Sequence, residues 1–103
     1  ITGAMKRARV AEGHGLDVEF HAPGPAQRHC IAATRNTNYY ELALVHPDAP
    51  NTQPPVYEGD YSDMIDTIDD DGTVEVPDGP GLGVDYDWEF IRDNATGSVH
   101  VYE

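Results

Sequence analysis

Residues 16–41 read LDVEFHAPGPAQRHCIAATRNTNYYE, and this stretch decides how the rest of the chain is read. Leu16, Val18 and Phe20 alternate with Asp17 and Glu19, the period-two pattern of a short strand that ends at His21. Pro23, Gly24 and Pro25 then make a loop that excludes regular structure. Residues 27–35 favour a helix, with Ile31 and Ala32 on its apolar side and Cys30 beside them. Asn36, Thr37 and Asn38 break that helix, and Tyr39 and Tyr40 favour a second strand ending at Glu41. Strand, loop, helix, strand is the right-handed crossover unit of a parallel sheet. A helix of about ten residues rises roughly 15 Å, close to the span of a five-residue strand. His21 and Glu41 should therefore share the C-terminal edge of two neighbouring strands, less than roughly 10 Å apart. In a (β/α) barrel that edge carries the catalytic groups.

Composition sets the bounds. The chain has 103 residues, 39% of them hydrophobic, with 8 Pro and 10 Gly, enough for one loop-rich domain with a thin core. Ile1 rather than Met opens the sequence, so an internal start is expected. No apolar run approaches membrane-spanning length, and no signal peptide is visible. The single Cys30 cannot form an internal disulfide and suits a reducing cytoplasm. The net charge of −13, from 19 acidic and 6 basic residues, argues against nucleic acid, which needs a basic patch. Acidic excess has two readings: a partly disordered tail, or a protein adapted to high internal salt, where screening relieves carboxylate repulsion. Twelve Asp, seven Glu, a single Lys and patterned aromatics favour the second. On that reading Asp60, Asp63, Asp66 and Asp69 are solvated.

Before the central stretch, residues 4–12 form an amphipathic helix. Ala4, Met5, Ala8 and Ala11 face inward, Lys6, Arg7, Arg9 and Glu12 stay wet, and Gly13-His14-Gly15 closes it. His14 reads as a cap residue and His29 as a helix-side histidine rather than a ligand. After Glu41 an apolar run ends at His46-Pro47, and Pro50, Pro54 and Pro55 mark a long connection over residues 46–56. Asp69-Asp70-Asp71-Gly72 invites a calcium reading. With Gly72 as the sixth residue of an EF-hand loop, however, Thr67 stands first and Asp78 twelfth, where an acid and a Glu are needed. It reads instead as a turn before a strand over residues 73–76. Pro77-Asp78-Gly79-Pro80-Gly81-Leu82-Gly83 is a shaped loop that lacks the Lys-Ser/Thr of a phosphate-binding loop. Asp87 caps a short helix through Trp88, Phe90 and Ile91 that ends at Asn94, and Val99 and Val101 suggest a last strand. Asn94-Ala95-Thr96 matches a glycosylation sequon, which a cytoplasmic protein never presents to the modifying enzyme.

Taken in order, Ile1-Thr2-Gly3, His21 after a strand, Tyr39-Tyr40-Glu41 and the Pro77–Gly83 loop form a series. That series resembles the C-terminal part of the enolase superfamily, in the mandelate racemase subgroup, and is most similar to the acid-sugar dehydratases. The resemblance implies an α/β fold: residues 1–46 as the C-terminal end of a (β/α) barrel, and residues 47–103 as a tail. The tail, with a short strand and a short helix, would return to an N-terminal α+β capping domain. It implies a lyase that removes the proton α to a carboxylate of a sugar acid and eliminates water through an ene-diolate. His21 would be the general base, since an imidazole titrates near neutrality. Glu41 would hydrogen-bond the substrate carboxylate as a neutral acid, which requires a raised pKa. Mg²⁺ would be the cofactor, held by carboxylates upstream of this chain, as would the Asp that orients His21. Lys6, on a helix, does not replace the lysine many members use. Residues 1–103 alone are thus expected to bind Mg²⁺ weakly and to be inactive, and the full-length enzyme to be a homo-oligomer. Two alternatives stay open: a racemase, epimerase or cycloisomerase of the same superfamily, and a small acidic interaction domain without catalysis.

Overall fold

A computed structural model describes residues 1–42 and 55–97. Helix α1 spans Thr2–Gly13 and helix α2 spans Pro25–Ala32. Strand β1 (Tyr57–Glu58) precedes a 3₁₀ turn at Ile65–Thr67, then come strand β2 (Asp85–Tyr86) and helix α3 (Trp88–Asp93). The expected apolar run after Leu42, most of the connection 46–56 and the closing strand at Val99 and Val101 lie outside the described residues.

α1 follows its periodicity. Ala8 is buried, Ala4, Met5 and Ala11 are half-buried, and Lys6, Arg7 and Arg9 are exposed. It closes as the glycines imply: Gly15 N–H donates to Glu12 O at 3.0 Å and Leu16 N–H to Ala11 O at 3.0 Å, with Gly15 at φ 67°. This double bond pattern satisfies carbonyls that the helix end would leave open. α2 begins two residues earlier than expected. Pro25 stands in its first turn, where the missing N–H costs nothing, so the proline starts the helix instead of excluding it. Gly24, the residue before it, sits at φ 146° and ψ 159°, a conformation essentially reserved for glycine.

Residues 16–21 and 37–42 run extended on either side of α2 but form no ladder with each other. A backbone bond runs from the first to the residue just before the second, Val18 N–H to Asn36 O at 2.8 Å. The reason is visible in the donors. The Glu19 carboxylate accepts the Asn38 and Tyr39 amides, both at 3.2 Å, and Thr37 Oγ1 at 3.2 Å. Amides held by a side chain are not free to pair with a neighbouring strand. Similarly, residues 73–76 form no strand. Val74 makes a single antiparallel bridge to Ile68, around a turn in which the Asp69 carboxylate accepts the Asp71 and Thr73 amides and the Thr73 hydroxyl. The paired strands of the described residues are β1 and β2, antiparallel, with Tyr57 opposite Tyr86 and Glu58 opposite Asp85. Tyr61, Tyr57, Tyr86 and Trp88 stack in sequence at centroid spacings of 4.7, 5.4 and 5.5 Å. Asp87 caps α3 as read, accepting Phe90 N–H at 2.8 Å, and Asn94 is the C-cap.

The interior is thin and partly ionic. Ala8, Cys30 and Leu42 are its buried apolar residues, whereas Val10, Leu16, Ile65 and Trp88 are 60% or more exposed. Beside them Arg28 and Asp63 are buried at 5% and 2% exposure. Asp63 was expected in solvent; it is instead paired with Arg28, while Asp60, Asp66 and Asp69 are exposed. In the 77–83 loop, a Cβ on Gly83 would lie 2.6 Å from Pro77 Cβ and 2.8 Å from its carbonyl carbon, so the loop folds on itself only around glycine.

Candidate active site

The ends of the two extended segments bring His21 and Glu41 together. His21 Nδ1 lies 2.9 Å from Glu41 Oε2, well inside the separation expected from strand spacing. The same Oε2 accepts the backbone N–H of Ala22 at 3.1 Å. Ala22 is at φ 70°, the left-handed region, which costs a non-glycine residue of the order of 1–3 kcal/mol and occurs where the surroundings enforce it. Two residues on, the Gly24 amide donates to the Tyr40 hydroxyl at 2.8 Å. The loop that carries His21 is thus held by two consecutive side chains of the other segment.

Electrostatics reverse one expectation. The Ala22 amide, opposed by desolvation and helped by His21, pulls the Glu41 carboxyl below the ordinary carboxylate range. Glu41 is therefore an ionised acceptor in this chain, not the neutral donor that the resemblance implied. Its side chain keeps 42% exposure, too open for desolvation to hold a proton on it. An ionised carboxylate accepts only, so an uncharged imidazole at this contact would carry its hydrogen on Nδ1. Nε2 is then left as the lone-pair nitrogen, on a ring that is 92% exposed. The arrangement is a histidine ring oriented by a carboxylate, with its second nitrogen facing outward.

Next to the pair, a cleft of about 450 Å³ opens between α1, α2 and residues 18–21. Ile1, Ala4, Ala8, Val18, Phe20 and Cys30 supply an apolar lining, and His21 and Glu19 stand among its polar residues. Glu19 is also held below the ordinary carboxylate range: the Tyr39 and Asn38 donors outweigh the desolvation that opposes them.

A second polar cluster escaped the sequence reading. Arg28, on α2, donates to Asp63 Oδ1 at 2.8 Å, to Glu75 O at 2.9 Å and to Ser62 O. Its guanidinium lies between the rings of Tyr40 and Tyr61, at 5.2 and 4.7 Å from their centroids. Tyr61 OH donates to Asp63 Oδ2 at 2.7 Å, and Tyr40 OH donates to Asp63 Oδ1. Burial, reinforced by Asp63, pushes both phenols up, so both remain protonated donors. His29, read as a helix-side residue, adds a bond from Nε2 to Leu82 O at 3.1 Å. The side of α2 read as apolar is not the buried one: Ala32 is exposed and Ile31 half-buried, whereas Pro25, Arg28 and Cys30 are buried, so the helix pattern gave no signal for Arg28.

The geometry has its counterpart in sequence. Residues 1–90 match the family described as enolase C-terminal domain-like. The chain belongs to the enolase superfamily. Its members are enzymes, typically lyases or racemases, and generally use Mg²⁺; an α/β fold fits that family. No curated protein and no solved structure matches the chain. Among the described residues no three His, Cys, Asp or Glu side chains converge as a metal site. Among them, too, no helix is long and apolar enough to cross a membrane.

Proposed function

We propose that this superfamily chain carries the general base of a sugar-acid dehydratase, a hydro-lyase of the mandelate racemase subgroup. His21 Nε2 takes the proton α to the substrate carboxylate, and the electron pair passes into an ene-diolate. The imidazolium so formed then returns a proton to the departing β-hydroxyl, which leaves as water. Glu41 fixes the ring and offsets the positive charge it gains. The observation that carries this reading is the 2.9 Å contact between His21 Nδ1 and an ionised Glu41 with Nε2 left open. Mg²⁺, which in such enzymes holds the charge of the ene-diolate, would be bound by carboxylates upstream of this chain. Residues 1–46 as barrel end and 47–103 as tail, and a homo-oligomeric full-length enzyme in the cytoplasm, belong to the same proposal.

The test is product identity. The full-length protein with Mg²⁺ and a panel of aldonic and aldaric acids should release keto-deoxy acids. A stereoisomer of the substrate would instead assign the racemase chemistry, and neither product across the panel would overturn the enzyme reading. The charge of −13 is read as adaptation to high salt. The melting temperature should fall from molar to low salt, and a flat or opposite response would contradict this.

A further inference from the structure

Tyr40 stands where the two polar clusters meet. Its hydroxyl oxygen accepts the Gly24 amide at 2.8 Å, and its hydrogen goes to Asp63 Oδ1. Asp63 is fixed in turn by the buried Arg28, whose guanidinium also lies against the Tyr40 ring. Between His21 and α2 the backbone passes through two unusual conformations, Ala22 at φ 70° and Gly24 at φ 146°. Such a segment relaxes unless its amides are held. The Ala22 amide is held by Glu41 and the Gly24 amide by Tyr40, adjacent residues of the same extended segment.

We infer that Tyr40, oriented by the buried Asp63–Arg28 pair, is a positioning residue for the His21 loop. It acts through the Gly24 amide and so keeps Ala22 N–H and His21 Nδ1 on the same Glu41 oxygen. The inference rests on His21 being the base, and it extends the site from two side chains to five. It also ties the chemistry to residues 61–75, which supply Asp63 and the Glu75 carbonyl that anchor Arg28.

The experiment is ¹⁵N spectroscopy of the full-length protein labelled at histidine, with His21→Asn used to assign the ring. In the unsubstituted protein the neutral His21 ring should carry its hydrogen on Nδ1. Tyr40→Phe keeps the ring against Arg28 and removes only the hydroxyl. It should move the tautomer toward Nε2–H and speed amide exchange at Ala22 by about tenfold, the scale of one hydrogen bond. Asp87→Ala, which removes the α3 cap far along the chain, should change neither. An unchanged tautomer in Tyr40→Phe, or the same shift in Asp87→Ala, would overturn the inference. Should Tyr40→Phe not fold, exchange in the unsubstituted protein decides: Ala22 and Gly24 amides protected to the level of α2 support the clamp, and free-peptide rates overturn it. Turnover that survives in His21→Asn would remove the catalytic reading while leaving the tautomer result standing, so the two failures are distinguishable.

Discussion

Two polar clusters lie on either side of the same short loop, and they are built to opposite specifications. The Arg28–Asp63 pair is dry, with side chains 5% and 3% exposed, and carries hydrogen bonds on both partners. The His21–Glu41 pair is wet, with side chains 92% and 42% exposed, and is held together by a single Glu41 oxygen. Buried, multiply bonded charge resists change and fixes geometry. Exposed, singly bonded charge can exchange protons with what arrives from solvent. On the proposed function, the first cluster holds the fold and the second carries the chemistry, with Tyr40 between them.

That contrast can be broken most forcefully at the buried end. Arg28→Ala leaves the Asp63 carboxylate buried beside two phenols, and removing one partner of such a pair costs about 3–5 kcal/mol. Chemical denaturation of the full-length protein should show a loss of that size. A loss below about 1 kcal/mol, the scale of an exposed pair, would erase the distinction between the clusters.

Glu41→Gln addresses the exposed end. It keeps shape but removes the charge that faces Nδ1, so stability should change little, as at an exposed site. Turnover should drop about 10–100-fold, as expected when a charge-assisted hydrogen bond that orients the base is weakened. Full activity would return Glu41 to a role as neutral donor.

A smaller effect should appear with acid. Glu41 titrates below its ordinary value in the folded chain, so its contribution is complete above the ordinary carboxylate range. It is lost as pH falls through the lowered folded value, because protonation then frees Ala22 N–H and His21. Exchange at the Ala22 amide, corrected for intrinsic rate, should therefore rise on acidification before α2 opens. Simultaneous opening of both would merge the two clusters into one unit.

The sequence disclosed these regions unequally. Residues that act through local rules were legible: the alanine stripe of α1, the Gly15 closure and the Asp87 cap each depend on neighbours within a few positions. His21 and Glu41 lie within the expected distance, but without the neighbouring strands from which that distance was read. Arg28 and Asp63 lie 35 positions apart, and nothing periodic connects them. Asp63 was grouped with its acidic neighbours because composition treats every carboxylate alike, whereas burial selected one. The extended segments read as strands for a sound local reason, alternation, but Glu19 holds the Asn38 and Tyr39 amides, which are then not free to pair with a neighbouring strand. Glu41 shows the limit of resemblance: a protonation state depends on surroundings, and here an amide and an imidazole favour the anion.

The central claim is that His21 Nε2 is the base that takes the proton α to a carboxylate. The direct measurement is turnover and substrate affinity of His21→Asn in the full-length enzyme with Mg²⁺, on whichever sugar acid the unsubstituted protein converts. Asn is similar in size and hydrogen-bonds, but cannot exchange a proton near neutral pH. The account predicts a fall in kcat of about 10²–10⁴-fold or more, with Mg²⁺ and substrate dissociation constants nearly unchanged. A His21→Asn enzyme that turns over at the unsubstituted rate would contradict it and place the base elsewhere.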